Sequence, residues 1–162
     1  MTSASELANS EAAVKAAWKA IDEERRYVTE LTQKLVRIPS VNPKFELDPE
    51  QNKESAVQDM VESELTSIGM SIDRWDVFPD RPNVIAQWPG SEERSLLLCG
   101  HIDVVPVGKR DAWSVDPFGG EIKNGRLYGR GAVDMKSGVA AAIAAVRGIR
   151  KAGIELSGRL AI

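Results

Sequence analysis

The sequence has few of the residues from which disulfide frameworks and histidine-rich sites are built. Its 162 residues include one cysteine, Cys99, and one histidine, His101. A single cysteine excludes an internal disulfide, and its position in an apolar segment predicts a buried, unreactive thiol. We therefore expect the protein to work in a reducing, cytoplasmic setting.

Blocks of one charge and long apolar runs are also missing. The 21 basic and 24 acidic residues give a net charge of -3 and are mixed along the chain, which argues against charge-driven binding to nucleic acid or to a membrane surface. No apolar stretch is long enough to span a bilayer, and residues 1–10 lack the apolar core of a secretory signal. We expect neither a nucleic-acid nor a membrane partner.

Helices and strands are predicted to alternate along the chain. Apolar residues at helical spacing predict helices over residues 10–37, 54–68 and 136–151, the first being either one long helix or two consecutive ones. Short apolar runs predict strands over residues 71–77, 83–88, 95–100 and 157–162. We predict hairpins between the second and third of these strands and at Asn124-Gly125, where Asn-Gly suits a type I′ turn.

This alternation predicts an α/β fold with a three-layer-like mixed sheet flanked by helices. The length suits one ordinary domain. We divide the chain into a helical segment, residues 1–40, that packs on the remainder, residues 41–162. Because the last predicted strand stops without a turn or cap, we expect residues 41–162 to be a domain truncated within a strand.

The sole histidine stands in a pattern typical of a metal ligand. His101 follows an apolar strand and precedes Asp103 by two residues. Residues i and i+2 of a strand point to the same face, so the carboxylate can reach the ring nitrogen that His101 does not use. A carboxylate in that position orients a metal-bound imidazole. A hydrogen-bonded structural pair is the alternative interpretation.

A second carboxylate, Asp134, lies where a predicted strand turns into the last helix. It is suited to bridge two metal ions with its two oxygens, but an aspartate in that position also serves as a helix N-cap. The preceding Gly129-x-Gly131 allows a third interpretation, the start of a dinucleotide-binding turn. Asp134 occupies the third glycine position of that turn, where its charge would oppose a pyrophosphate.

Three sequence blocks form a longer motif. They are residues 96–106, which read Leu-Leu-Leu-Cys-Gly-His-Ile-Asp-Val-Val-Pro; Trp113 with residues 116–120; and residues 125–136. Together these blocks resemble the M20 metallopeptidase family, in particular its acetylornithine deacetylase and succinyl-diaminopimelate desuccinylase branch. The resemblance implies the N-terminal part of a zinc hydrolase catalytic domain, without the inserted domain through which many members dimerise. It also implies a cis peptide bond after Asp134.

The resemblance assigns a role to each candidate site residue. It implies that His101 binds one metal, that Asp134 bridges two, and that Asp103 is the catalytic residue that orients His101. The cofactor would be zinc, with cobalt possible, and the substrate an N-acyl amino acid or small peptide cleaved at its amide bond. The general base and the other metal ligands would follow Ile162, so this chain alone is expected to be inactive, and the complete enzyme a homodimer.

Two other functions remain open on the sequence. The chain could be a natural short form that acts as a non-catalytic binding module, or a dinucleotide-binding domain. An in-frame Glu-Glu pair soon after Ile162 in the coding sequence, the pair that the resemblance implies as general base and metal ligand, would identify the enzyme. A genuine stop codon there is required for the binding module, and NAD binding with or without zinc would identify the dinucleotide-binding domain.

Overall fold

The alternation of helices and strands recurs in the computed structural model, which describes residues 4–162, with side chains from Ser10 onward except Glu92. Residues 1–3, part of the N-terminal stretch for which we predict no secretory signal, lie outside the described residues. The described helices are α1 (Ala4–Asp22), α2 (Arg25–Val36), α3 (Glu54–Ser67) and α4 (Ser137–Lys151). The described strands are β1 (Ser71–Phe78), β2 (Arg81–Trp88), β3 (Ser91–Leu97), β4 (Glu121–Lys123), β5 (Arg126–Tyr128) and β6 (Gly158–Ala161).

Four strands form a mixed sheet in the order β1-β2-β6-β3. Only the β3–β6 pair is parallel among these neighbours. Helices α2, α3 and α4 bury apolar side chains against the sheet, and the shared core includes Leu31, Val61, Ile143, Ala86 and Leu160. The expected α/β fold, a mixed sheet flanked by helices, is confirmed.

The predicted hairpin between the second and third strands is wrong. β6 lies between β2 and β3, and the Ala86 amide and carbonyl both bond to Ile162 at 2.9 Å. The connection from β2 to β3 therefore crosses β6, and Gly90 lies against Gly158 where it does so. The local sequence could not reveal this, because the intervening strand is about 60 residues further along the chain. The hairpin at Asn124-Gly125 is confirmed, with both residues at positive φ.

The first helical pattern forms two helices, and the break between them has a structural cause. Glu24, which separates α1 from α2, is only 3% exposed. Its carboxylate accepts hydrogen bonds from Arg147 at 2.9 Å and from Lys151 at 2.5 Å. A buried carboxylate requires such partners, so this residue ties the start of α2 to α4.

Two features of the surface bear on the sequence expectations. The prediction of a buried Cys99 is wrong, because the residue follows the edge strand β3 and is exposed. Among the described residues, no helix has both the length and the apolar character needed to cross a membrane.

We predict that Gly158→Ala destabilises the protein by about 1–3 kcal/mol, the usual cost of overpacking. A methyl group there would collide with the Arg94 carbonyl, at the crossing on which the strand order depends. The free energy of unfolding in urea measures the effect.

The matched control is Gly138→Ala, near the start of α4, where a methyl group would meet the flexible Met135 side chain at 3.2 Å. We expect that variant to be neutral or stabilised by up to about 1 kcal/mol, since alanine favours helix over glycine. Equal losses in the two variants would contradict the proposed crowding at the crossing.

Candidate functional site

His101 and Asp134 lie side by side in one pocket although 33 residues separate them in the sequence. Nε2 of His101 is 2.9 Å from Oδ1 of Asp134, whose side chain is 84% exposed. The loop after β3 supplies the imidazole, and the turn before α4 supplies the carboxylate. A neutral imidazole and an ionised carboxylate are common ligands of zinc and similar cations.

Asp103 lies on the other side of the same imidazole. Nδ1 of His101 is 3.1 Å from the Asp103 carbonyl oxygen and 3.4 Å from its Oδ1. The second carboxylate oxygen accepts a hydrogen bond of 2.9 Å from the Asn42 side chain. Sequence reasoning missed Asn42, because an asparagine in a proline-containing loop gives no signal of such a contact.

The environment of His101 favours its protonated form. Both ring nitrogens face oxygen acceptors, and a ring can donate to both only as imidazolium. Partial burial lowers the pKa of His101, but the hydrogen bonds to Asp134 and Asp103 outweigh it and raise the pKa above its usual value. The geometry thus leaves Nε2 facing a carboxylate, where a cation could take the place of the proton.

A short extended segment fixes the chain around His101. Ser40 donates its hydroxyl hydrogen to the Ile102 carbonyl at 2.6 Å and accepts the Val104 amide on its own carbonyl at 2.9 Å. The Asn42 amide then donates to the Val104 carbonyl at 2.9 Å. Because these bonds run beside residues 102–104, the imidazole and Asp103 stand on an ordered backbone although β3 has already ended.

The carboxylate on the other side of the pocket is carried by a tight turn, Ala132–Lys136. Gly131, which precedes it, has φ +83°, and a Cβ there would lie 2.6 Å from Cγ1 of Val104. Only glycine allows both this conformation and this approach. The Asp134–Met135 peptide bond is cis, as the family resemblance implies.

The two alternative interpretations of this turn are not favoured. Asp134 is not the N-cap of α4, since Lys136 occupies that position and no side chain caps the helix. The glycines follow β5, which belongs to a two-stranded sheet with β4. A dinucleotide-binding turn would follow a strand of the main parallel sheet.

One wall of the pocket includes a cation that sequence reasoning did not single out. Arg130 lines the pocket with the site residues, and its guanidinium lies 5.3 Å from the centre of the Trp113 ring. Trp113 donates its indole hydrogen to the Val107 carbonyl at 2.9 Å. The aromatic residue therefore anchors its loop and supports Arg130 by a cation–π contact.

His101 and Asp134 suit a divalent cation as two members of a ligand set. Their donor atoms face one another in an open pocket and are of the types that zinc accepts. The described residues contain no cluster of three or more histidine, cysteine, aspartate or glutamate side chains that could hold a metal ion. Among the described residues, His101 and Asp134 thus offer two donor groups of suitable type, and the Asp103 carbonyl and carboxylate oxygens lie beside Nδ1.

Residues 97–162 match the sequence model of a known family, described as Peptidase family M20/M25/M40. The matched region contains all three candidate site residues, His101, Asp103 and Asp134.

Curated relatives are similar over most of the chain. The N-formyl-4-amino-5-aminomethyl-2-methylpyrimidine deformylase of Bacillus subtilis is 39% identical over 145 residues, which cover 88% of this chain and 33% of the relative. A succinyl-diaminopimelate desuccinylase of Cereibacter sphaeroides is 47% identical over 116 residues, which cover 71% and 28%. The chain spans about a third of the length of these relatives.

Solved structures share the fold at lower sequence identity. Human carnosine dipeptidase 1 superposes with a TM-score of 0.78 and 23% identity, over 91% of this chain and 33% of that one. The M20 family metallo-carboxypeptidase of Sulfolobus solfataricus superposes with a TM-score of 0.69 and 22% identity, over 80% and 28%.

We predict that Asp134→Asn lowers the pKa of His101, because it removes a carboxylate that stabilises the imidazolium. As the protein has a single histidine, a pH titration of its ring resonances by NMR measures this directly. Asn42→Ala, which leaves both carboxylates in place, is the control and should have the smaller effect.

The same shift makes stability depend on pH. A pKa raised in the folded state stabilises the protein fully below the unfolded value of about 6.5, and this contribution disappears as pH rises through the folded pKa. Asp134→Asn should therefore cost more stability at pH 5.5 than at pH 8.5. An equal cost at both values would contradict the interaction.

Proposed function

The chain belongs to the M20/M25/M40 peptidase family, and we propose that it carries part of the active site of a metal-dependent hydrolase that cleaves the amide bond of an N-acyl amino acid or small peptide. The observation that carries this proposal is the imidazole of His101 facing the exposed Asp134 carboxylate at 2.9 Å. Two relatives are named for removing a formyl and a succinyl group, which supports an acyl group on nitrogen as the substrate feature.

The family implies a metal cofactor, and we propose zinc, with cobalt possible, held in part by His101 and Asp134. When bound, a divalent metal supplies a Lewis acid that polarises the scissile carbonyl. His101 would use Nε2 as the ligand atom and keep its remaining proton on Nδ1, where the Asp103 carbonyl oxygen accepts it at 3.1 Å and the carboxylate lies at 3.4 Å. Asp103 is thus proposed to fix the tautomer and orientation of the ring.

Further features of the sequence interpretation stay proposals. We propose residues 1–40 as a helical segment that packs on a partial catalytic domain, residues 41–162, and a cytoplasmic homodimer for the complete enzyme. In support of the first, α1 approaches α4 so closely that a Cβ at Gly148 would lie 3.1 Å from the backbone of Ala20.

We predict that the chain binds zinc weakly and that binding weakens as pH falls. Two protein ligands are fewer than the three usual in catalytic zinc sites. Below the raised pKa of His101, zinc must displace a proton, so its affinity should fall about tenfold per pH unit. Zinc titrations followed at the His101 ring resonances, from pH 5.5 to 8.5, measure both effects. Affinity that is independent of pH, or unchanged in Asp134→Asn, would argue against this site.

We also predict that the purified chain has no measurable amidase activity on N-acetyl, N-formyl or N-succinyl amino acids with zinc or cobalt present. The described residues contain no group of three or more metal-ligating side chains, and the pocket has no carboxylate besides Asp103 and Asp134 to serve as general base. Metal-dependent hydrolysis that His101→Ala abolishes would overturn the prediction of inactivity. An in-frame Glu-Glu pair soon after Ile162 in the coding sequence would support the proposed enzyme over a binding module.

A further inference from the structure

Lys136, at the end of the turn that carries Asp134, is completely buried, with 0% of its surface exposed. Removal from water lowers the pKa of its ammonium group to about 7, and the negative charge of Asp103 only partly opposes that shift. A lysine is rarely buried unless specific partners compensate for lost hydration. Its contacts therefore indicate what it does in the fold.

The Lys136 ammonium group closes the C-terminal end of α2. Its Nζ donates hydrogen bonds of 2.8 Å to the carbonyl oxygens of Leu35 and Ile38. The last carbonyls of a helix lack partners within the helix and carry partial negative charge, so a cation there is favourable. The side chain thus connects the Asp134 turn to a point 98 residues earlier in the sequence.

The backbone and the aliphatic part of the Lys136 side chain are also held in place. Its amide donates to the Gly131 carbonyl at 3.0 Å and closes the turn. Its aliphatic carbons lie so near Gly131 that a Cβ added there would be 3.3 Å from Cδ. The turn that presents Asp134 is therefore held at its C-terminal end by both the backbone and the side chain of one residue.

The other half of the site is attached to the same part of the chain. Ile38, which Lys136 contacts, is followed at once by the segment whose residues Ser40 and Asn42 bond to the backbone of Ile102 and to the Asp103 carboxylate. Hydrogen bonds to residues 35–42 therefore fix the positions of both His101 and Asp134. A shift of either attachment would change the distance between Nε2 and Oδ1.

We propose that Lys136 is a positioning residue that holds the Asp134 carboxylate opposite His101 by fastening its turn to the end of α2. Metal binding at the proposed site depends on this tie, and that part of the inference rests on the proposed function. The geometric part concerns only this chain's own residues and can be tested without metal.

The test replaces Lys136 with methionine, which fills similar space and cannot donate a hydrogen bond. We expect the ring nitrogen chemical shifts of His101, measured at one fixed pH without metal, to move to the values seen in Asp134→Asn. Zinc affinity should fall about 10-fold to 100-fold, the range for residues that orient metal ligands.

The matched control is Lys151→Met, which removes a lysine that bonds to Glu24 at the opposite end of α4. It is expected to leave the His101 shifts and zinc affinity unchanged, even if it lowers the free energy of unfolding as much as Lys136→Met does. A purely structural Lys136 would give equal effects in the two variants.

Chemical rescue keeps the inference testable if Lys136→Met does not fold. In a Cys99→Ser background, Lys136→Cys can be alkylated with bromoethylamine while unfolded and then refolded, which restores an ammonium group on a chain of nearly the same length. Rescue should return the His101 shifts and zinc affinity to those of the Cys99→Ser protein.

Two results distinguish a failure of the positioning role of Lys136 from a failure of the proposed function. Unchanged His101 shifts in folded Lys136→Met, or alkylated protein that folds without recovering them, would overturn the positioning role. Absence of zinc binding by the unsubstituted chain would instead count against the proposed function, while the metal-free shifts still decide the role of Lys136.

Discussion

The site depends on one short stretch of chain, residues 35–42, to which both of its halves are attached. Ser40 and Asn42 hold the backbone and carboxylate beside His101, and Lys136 ties the Asp134 turn to the Leu35 and Ile38 carbonyls. Neither half lies within a strand of the main sheet. Hydrogen bonds to this one segment therefore hold both parts of the site in place, as the hydrogen bonds of a β-sheet would if the residues lay within strands.

The chemistry of the site follows from the two acceptors that flank the His101 imidazole. Asp134 faces Nε2 and Asp103 faces Nδ1, so the ring binds a proton more readily than usual. A divalent cation at the proposed metal site would bind Nε2 and the Asp134 carboxylate in place of this proton, so proton and metal would compete for one nitrogen atom. Metal binding at the proposed site should therefore strengthen as pH rises through the raised pKa of His101.

Several elements could be predicted from the sequence because local physics decides them. Asn124-Gly125 formed its hairpin because both residues tolerate positive φ, and the helices followed their apolar spacing. The prediction of a β2–β3 hairpin was wrong because β6 lies between these strands. The prediction of a buried Cys99 was wrong because the preceding strand, β3, is at the edge of the sheet. Asn42, Arg130 and Lys136 were not recognised at all, since their contacts join segments far apart in the sequence.

Residue types, their order and their spacing were enough to predict the α/β class, the resemblance to the M20 metallopeptidase family and the candidate site residues His101, Asp103 and Asp134. The folded chain alone reveals that His101 and Asp134 face each other at 2.9 Å and that buried Lys136 bonds the turn carrying Asp134 to the end of α2. Such contacts depend on where distant segments meet, because hydrogen bonding and burial across the whole fold set those positions.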